Sequence, residues 1–416
     1  MTKRKVIAVG AATTMAIAGA LTLQTAAIAD EIDHQLTDAR AEIVGNVDAQ
    51  YMDAMAAEHD ASWSEVYDRL ALQSVASDIE EDYADHPNFG GVWINEDDNE
   101  IFLASTDLDQ LSDPRATMVD VEYSYQDLTE YVEVLTSAGA SATEQEGVDS
   151  AGNDRDMSIM GPGVHGGFVN IAENMAIVEA DDAQPVEDHA DAEGVPGSSF
   201  DVEILEGGHD LFIDTATDNG AASTDIYGGD QFWTSEGAAC IVGFNVVPQD
   251  NDSKGFLTAG HCGSPGDTIT EGAGEGGAFV ESIFPGSDWA YVEVPDSVTT
   301  HNAVRGGSGS EPVDITGSDE APVGSSVCRY SQDWAIHCGE IEARDQSVSY
   351  PEGTVDGLIQ TTVCAEPGIS GSPVMAGGEA QGMISGGSGN CSTGGTTFVQ
   401  PVNPVLEELG LALGGA

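Results

Sequence analysis

The first clear pattern of apolar and polar positions in the chain is a helix signal. Ser62 and Glu65 are spaced as a capping box, in which each side chain satisfies a free backbone N–H of the first turn. Apolar residues then follow at roughly helical spacing, at Val66, Leu70, Leu72 and Val75. The pattern predicts an amphipathic helix that begins just after Ser62.

Two later segments share one pattern at an offset of 75 residues: residues 91–107 align with residues 166–182. Three polar positions coincide in the two copies, namely Asn95 with Asn170, Asn99 with Asn174, and Asp107 with Asp182. Each copy has a turn between two apolar runs, which predicts a β-hairpin. We therefore expect an internal repeat in the N-terminal half.

The pattern changes after the repeat. Residues 179–197 are acidic and contain Pro185 and Pro196, which predicts a loop or linker. A short strand is expected around Val202–Ile213. From Ile226 onward, short β-type runs alternate with Gly-rich turns, which is typical of an antiparallel barrel or sandwich.

Composition adds an extreme negative charge. The 416 residues are 40% hydrophobic, enough for two domains with real cores, but 11 Lys and Arg face 73 Asp and Glu, a net charge of −62. Phosphate binding requires clustered Lys and Arg, so this charge excludes nucleic acid as a partner and disfavours anionic membranes.

The acidity is spread along the chain. Residues 30–223 hold 47 acidic and 4 basic side chains, and residues 224–416 hold 26 and 4. We interpret this as adaptation to concentrated salt, which screens the self-repulsion over about 3 Å at 1 M. A merely acidic secreted protein is the alternative.

The first 29 residues have the order of an export signal. Basic residues at positions 3–5 precede the apolar core Val6–Leu23, and Ala27–Ala29 fits small-x-small cleavage before Asp30. A retained membrane anchor is the alternative, but no charged stop-transfer flank follows. We expect a secreted, extracellular product without membrane attachment after signal cleavage.

All the cysteines lie in the C-terminal half: Cys240, Cys262, Cys328, Cys338, Cys364 and Cys391. An even number in an exported chain predicts disulfides, although six cysteines alone allow about 15 pairings. The cysteines therefore divide the chain into a disulfide-bonded C-terminal domain and a cysteine-free N-terminal domain that need not persist outside the cell.

Three short motifs carry the residue types of nucleophilic catalysis. His261 immediately precedes Cys262, so a disulfide would fix its backbone. Ser370 lies between glycines in a run that permits a tight turn, where the N–H groups of Gly368 and Ser370 would converge on an oxyanion. Asp288 heads an alternating run that begins at Trp289.

Together these motifs resemble the chymotrypsin-fold bacterial serine peptidases of the streptogrisin and α-lytic protease family. Cys364–Gly368 and Ser385–Val402 carry the closest similarity, Ile226–Asp230 looks like the start of the mature enzyme, and the segments around Arg329 and His337 also match. The resemblance is strong over the C-terminal half and weaker before it, where the capped helix and paired hairpins look like the family's pro-region.

The resemblance implies three parts of the chain. Residues 1–29 would be the signal peptide, residues 30–223 an α+β pro-region that assists folding, and residues 224–416 an all-β double β-barrel serine endopeptidase domain. The chain would be a zymogen that cleaves itself near Ala222–Ile226. Its expected partners are protein or peptide substrates and its own pro-region, and we expect a monomer.

The resemblance also implies roles for individual residues. His261 would be the general base, Ser370 the nucleophile and Asp288 the residue that orients the imidazole, with Gly368 and Ser370 as the oxyanion hole. Ser385, Gly386 and Gly387 would bind the substrate backbone as a short strand. The implied disulfides are Cys240–Cys262, Cys328–Cys338 and Cys364–Cys391.

Two positions depart from the family's Gly-Asp-Ser-Gly-Gly motif: Ile369 replaces the Asp and Ser372 replaces the last Gly. In the family that Asp pairs with a buried arginine, at the position of Arg329 here. Three outcomes are open: another carboxylate pairs with Arg329, Arg329 turns to solvent, or the oxyanion loop is poorly formed. The last would give a weak enzyme or a non-catalytic secreted binding protein on the same scaffold.

Specificity and cofactors are only faintly indicated. Glu-preferring members carry a His where this chain has Ile384, and no acidic residue lies where trypsin-like members bind Arg or Lys, so we expect an apolar P1 pocket. Asp250–Asp252 is interpreted as a solvated loop rather than a calcium site. No metal or cofactor is expected.

Overall fold

The computed structural model describes residues 34–41, 43–44, 47–95, 99–138, 146–148, 154–156, 160–205, 223–249, 253–306, 311–331 and 334–415. We refer to residues 34–205 as the N-terminal half and to residues 223–415 as the C-terminal half. The expected signal peptide, the Asp250–Asp252 loop and residues 206–222 lie outside the described residues.

The N-terminal half combines helices with short strands. Its helices are α1 (Ala49–Glu58), α2 (Trp63–Tyr83), α3 (Tyr125–Thr136) and α4 (Ala183–Glu193). Its strands are β1 (Phe89–Asn95), β2 (Glu100–Ser105), β3 (Thr117–Asp120), β4 (Glu146–Val148), β5 (Asp154–Asp156), β6 (Val164–Asn170), β7 (Met175–Ala180) and β8 (Phe200–Ile204).

Helix α2 begins at the predicted capping box. The backbone N–H of Glu65 donates to Ser62 Oγ, and the Ser62 N–H donates to the Glu65 carboxylate at 2.7 Å. The predicted apolar positions are all buried: Val66, Leu70, Leu72 and Val75. The predicted helix is therefore confirmed. Neither α2 nor any other helix in the described residues is long and apolar enough to cross a membrane.

Two hairpins of the N-terminal half share their register at an offset of 75 residues. In β1–β2, Asn95 pairs with Glu100; in β6–β7, Asn170 pairs with Met175; each hairpin has a bulge at the matching place near its start. Asn99 and Asn174 both adopt positive φ, 49° and 53°. Asparagine tolerates this left-handed conformation, which explains why both copies carry it at the turn.

The prediction of a loop over residues 179–197 is wrong in its middle, where helix α4 forms. Asp182 caps the helix by accepting a hydrogen bond from the Gln184 N–H, and Gly194 ends it with φ 78°. Pro185 lies in the first turn, where its missing N–H has no intrahelical partner to lose. The proline therefore marks the start of a helix rather than a linker.

The C-terminal half is almost entirely β-structure. Its strands are β9 (Asp225–Gly228), β10 (Gln231–Thr234), β11 (Ala239–Ile241), β12 (Asn245–Pro248), β13 (Gly255–Thr258), β14 (Ile269–Gly272), β15 (Ala278–Ile283), β16 (Trp289–Glu293), β17 (Thr299–Val304), β18 (Val313–Asp314), β19 (Ser326–Ser331), β20 (Trp334–Tyr350), β21 (Gly353–Thr361), β22 (Pro373–Ala376), β23 (Glu379–Asn390), β24 (Gly394–Pro401) and β25 (Leu411–Leu413). Helix α5 (Val402–Leu409) precedes β25.

Two sheets position the candidate site. One has the strand order β15-β16-β13-β12-β25, and the other has the order β19-β22-β23-β24-β21-β20-β6-β7-β8. The second sheet crosses from one half to the other, because β20 pairs with β6 through Ser347–Gly167 and Val348–Gly166. The two halves thus share one continuous hydrogen-bonded sheet.

A second contact between the halves is made by α1 and α2. Tyr51, Met52 and Met55 of α1 are fully buried in one apolar cluster with Tyr330 and Met375 of the C-terminal half. At its edge, Arg69 Nε donates to Ser326 Oγ at 2.5 Å and its Nη2 lies 2.8 Å from Glu340 Oε1. This apolar contact with a polar edge joins the two halves beside the shared sheet.

Replacing Arg69 by Met tests the polar edge. We expect the free energy of unfolding to fall by about 1–3 kcal/mol, because Ser326 and the half-buried Glu340 lose their donor. The measurement is chemical denaturation of the full chain in molar salt. Arg40→Met is the matched control, because the Arg40–Asp68 pair is more exposed (35% and 58%); equal losses in both variants would contradict this role for Arg69.

Candidate active site

His261 is held at the end of strand β13. It lies in a single 3-10 turn, Gly260–Cys262, and the Cys240–Cys262 disulfide ties that turn to strand β11. Gly260 packs so closely on the backbone of Ile283 that a Cβ atom would not fit. The backbone on both sides of His261 is therefore fixed.

Asp288 comes to the same end of the sheet from strand β16. Strands β13 and β16 are antiparallel, with Thr258 opposite Ala290, so the residue before β16 lies next to the residues that follow β13. His261 Nδ1 is 2.9 Å from Asp288 Oδ2 and 3.1 Å from Oδ1. The His261 backbone N–H donates to Oδ1 at 3.0 Å. The ring and the carboxylate form a fixed pair.

Asp288 is fully buried and yet favours its ionised form. Burial alone raises the pKa of a carboxyl group, but the His261 charge and hydrogen bonds from His261 and Ser385 outweigh it, so the pKa of Asp288 lies below its ordinary value. Ser385 Oγ donates to Asp288 Oδ2 at 2.6 Å. The carboxylate is stabilised by donors rather than by solvent.

Ser370 lies in a tight turn that packs against the His261 segment. Glycines with positive φ flank it, Gly368 at 92° and Gly371 at 86°. A Cβ atom on Gly371 would collide with Thr258 Oγ1, and the Ile241 N–H donates to the Ser370 carbonyl at 2.9 Å. Since Ile241 follows bridged Cys240, the disulfide, this main-chain hydrogen bond and the close contact of Gly371 with Thr258 bring the serine turn to the His261 segment.

Among the described residues, the atoms expected to carry out catalysis make no hydrogen bond. His261 Nε2 is buried and makes no hydrogen bond to any described residue. Within the same part of the chain, the Ser370 hydroxyl makes none, and neither do the backbone N–H groups of Gly368 and Ser370, whereas the Gly371 and Ser372 amides do. One acceptor nitrogen, one hydroxyl and two backbone donors thus remain available at this place.

The segment Ser385–Gly387 lies on strand β23 next to this site. Its Gly386 and Gly387 pair with Phe398 and Thr397 of β24 on one side. On the other side, the pairing with β22 ends at Met383 within the described residues. No strand of the described residues therefore pairs with this second edge of the segment, while the Ser385 side chain is used by Asp288.

Three site residues were missed in the sequence. Gln400 Oε1 accepts a hydrogen bond from the Asp288 N–H at 2.8 Å, Phe284 contacts the His261 ring edge-on, and Tyr350 bonds Ser385 Oγ at 3.0 Å. Burial and the nearby Asp288 charge raise the pKa of Tyr350. They come from three different strands or loops, and no local pattern marks any of them.

Arg329 stays inside the protein. Its exposure is 0%, so of the three outcomes left open, the one in which Arg329 turns to solvent is wrong. Ile369 is also buried, in an apolar cluster with Val374 and Ile384. Ser372 is buried beside them, and its Oγ has no partner in the described residues. An apolar side chain therefore occupies the place of the family's carboxylate without exposing the arginine.

The described residues contain the disulfides Cys240–Cys262, Cys328–Cys338 and Cys364–Cys391, the pairs that the resemblance implies. Two His and Cys groups are close enough for a metal ion, one around His261 and one around His337. In both, the cysteines are oxidised, so each group offers a single imidazole and no thiolate.

Comparison with known proteins places the chain in a family. Residues 250–407 match the family model described as Trypsin. Serine protease 2 of Streptomyces fradiae is 39% identical over 176 residues, which cover 41% of this chain and 100% of that protein. The chain therefore belongs to the trypsin family, together with the bacterial serine proteases.

Two further relatives show the extent of the match. Streptogrisin-C of Streptomyces griseus is 46% identical over 194 residues, 46% of this chain and 42% of that protein. The chain thus spans less than half the length of streptogrisin-C. The crystal structure of Cellulomonas bogoriensis chymotrypsin is 48% identical, covers 45% of this chain and 98% of its own, and gives a TM-score of 0.42.

Replacing Ser385 by Ala tests the electrostatics of Asp288. Losing this donor should raise the folded-state pKa of Asp288 toward its ordinary value, so the loss of activity on acidification should begin at higher pH. The depressed pKa of Asp288 also stabilises the folded protein, and this contribution is lost as the pH falls through that pKa. In Ser385→Ala the contribution should be smaller and should be lost at higher pH.

The measurement is kcat/KM on a peptide substrate between about pH 3 and 7. Ser325→Ala is the matched control, because Ser325 is buried and its hydroxyl has no partner among the described residues. If the acid limb of the pH profile is unchanged in Ser385→Ala, or moves equally in Ser385→Ala and Ser325→Ala, the role of Ser385 as a donor to Asp288 is refuted.

Proposed function

We propose that the chain is a secreted serine endopeptidase that acts through an acyl-serine intermediate. The observation that carries this proposal is the buried His261–Asp288 pair beside the tight turn of Ser370. His261 would accept the proton of Ser370 Oγ as the hydroxyl attacks the scissile carbonyl, and would then pass it to the leaving amine. Water would release the acyl group by the same route.

The other site residues take supporting roles in this proposal. The N–H groups of Gly368 and Ser370, which make no hydrogen bond within the described part of the chain, would stabilise the oxyanion. Ser385, Gly386 and Gly387, one edge of which pairs with no strand of the described residues, would add the substrate backbone as a strand. Ile384 stands where Glu-preferring family members carry a His, and its apolar side chain supports an apolar P1 preference.

We infer that residues 30–223 act as a pro-region and residues 224–416 as a double β-barrel peptidase domain. The shared sheet through β6 and β20 and the buried contact of α1 support a role in folding, since the N-terminal half supplies a template for long-range β pairing. After signal cleavage, the peptidase would cut near Ala222–Ile226 and act as a monomer outside the cell.

The test of self-processing is expression of the precursor in molar salt with and without Ser370→Ala. We expect a mature fragment and fluorophosphonate labelling only from chains that keep Ser370. Ser392→Ala, at an exposed serine of the same half, is the control that should process normally. Identical trimming of the Ser370→Ala chain would rule out self-cleavage.

A catalytically weak or inactive binding protein is the second candidate, favoured by Ile369 beside the nucleophile. Failure of the unmodified, fully bridged protein to label at Ser370 would support it. Labelling of Ser370 in the unmodified protein, together with loss of that labelling in the His261→Ala variant, would exclude it.

We further propose that the chain is adapted to high salt, on the basis of its net charge of −62. At about 10 mM salt, unscreened repulsion should loosen the fold and lower peptidase activity, because the Debye length reaches about 30 Å. Circular dichroism and activity across a salt series measure this, with a non-ionic osmolyte as control. Full folding and activity at low salt would count against it.

A further inference from the structure

Arg329 projects into the apolar interior behind the candidate nucleophile. It lies on strand β19 directly opposite Val374 of β22, and opposite residues of paired strands point to the same face. Val327, two residues earlier on β19, shares that face and belongs with Val374 and Ile369 to one apolar cluster. The guanidinium therefore enters the region where the family's carboxylate is replaced by Ile369.

The guanidinium binds the base of the nucleophile turn. Arg329 Nε donates to the carbonyl of Cys364 at 2.6 Å, and Nη2 contacts Cys391 Sγ at 3.4 Å. These two residues form the disulfide that closes the segment containing Ser370. Within the described residues no carboxylate oxygen lies within 4.0 Å of Arg329, and its Nη1 has no partner.

Glu366 reaches the same disulfide from the turn itself. The backbone N–H of Cys391 donates to Glu366 Oε1 at 2.9 Å, so Arg329 and Glu366 both contact Cys391. Burial lowers the pKa of Arg329 to about 10, and the negative charge of Glu366 opposes that shift. Glu366 is thus the nearby carboxylate that stabilises the buried cation, without a direct ion pair.

We propose that Arg329 is a positioning residue for the nucleophile turn, holding the Cys364 carbonyl with Glu366 as its counter-charge. This inference rests on the proposed peptidase function. Cys364 is four residues before Gly368, whose N–H is half of the proposed oxyanion hole. A displacement at the base of this short turn moves both the hydroxyl of Ser370 and the two donors, which must lie in place before the transition state forms.

The variants separate this role from simple stability. Arg329→Met keeps the length and apolar stem but removes every donor, while Glu366→Gln keeps the acceptor for Cys391 and removes only the charge. Arg344→Met is the matched control, because Arg344 also donates from Nε to a main-chain carbonyl, that of Ala321, at 3.1 Å. All are made in the full chain, in molar salt, and the three disulfides are verified by mass spectrometry.

The readouts are active sites counted with a fluorophosphonate, then kcat and KM per counted site. We expect Arg329→Met to lower kcat per site by about 10- to 100-fold with KM changed less than about threefold, because the turn is displaced while the substrate edge of β23 is untouched. Glu366→Gln should give a smaller loss, and the double variant no more than Arg329→Met alone. Arg344→Met should keep kcat.

The outcomes are distinguishable. An unmodified protein that neither labels nor cleaves refutes the proposed function itself. An active unmodified protein whose Arg329→Met variant keeps its kcat per site, even with fewer active sites, overturns the positioning role. If Arg329→Met does not fold, Glu366→Gln decides: unchanged kcat per site in that variant overturns the inference.

Discussion

The candidate site depends on one buried carboxylate, that of Asp288, which lies where the two sheets that position the site meet. Asp288 has 0% exposure, and an unpaired charge at such a place would be strongly unfavourable. The folded chain must therefore surround this carboxylate with hydrogen-bond donors. The donors come from both sheets: His261 follows β13, whereas Ser385 lies on β23. Satisfying this charge therefore requires donors from both sheets, and it fixes the imidazole as a consequence.

The serine turn reaches the same place by covalent and backbone contacts rather than by charge. The Ile241 N–H donates to the Ser370 carbonyl, Gly371 lies against the Thr258 side chain, and the Cys240–Cys262 disulfide joins the segments that make these two contacts. This explains how the turn can keep its place although Ile369 replaces a carboxylate. Its anchor is the backbone, and a buried arginine that binds a backbone carbonyl is consistent with that arrangement.

Local signals in the sequence predicted local structure well. The capping box at Ser62 and the repeated asparagines at 99 and 174 act within a few residues, so their patterns are readable. The loop prediction at Pro185 failed because the effect of a proline depends on its position in the helix, and that position is set by the Asp182 cap. Gln400 and Tyr350 could not be predicted, since each contacts the site only through strand pairing over long sequence separations. The candidate site was predicted from a family resemblance. The burial and the contacts of Arg329 could be learned only from the three-dimensional packing.

The two halves combine extensive mutual contact with net charges of the same sign. Both carry many more acidic than basic residues, yet a shared sheet and the buried Tyr51, Met52 and Met55 hold them together. Apolar burial and backbone hydrogen bonds are affected little by screening, whereas repulsion between exposed carboxylates weakens steeply as salt rises. The attraction between the halves is short-ranged and the repulsion between their carboxylates is long-ranged, so salt mainly changes the repulsion. Lowering the salt concentration is therefore expected to favour separation of the halves. In an intact chain the connection opposes that separation, so the same change of salt would act more strongly after the proposed self-cleavage.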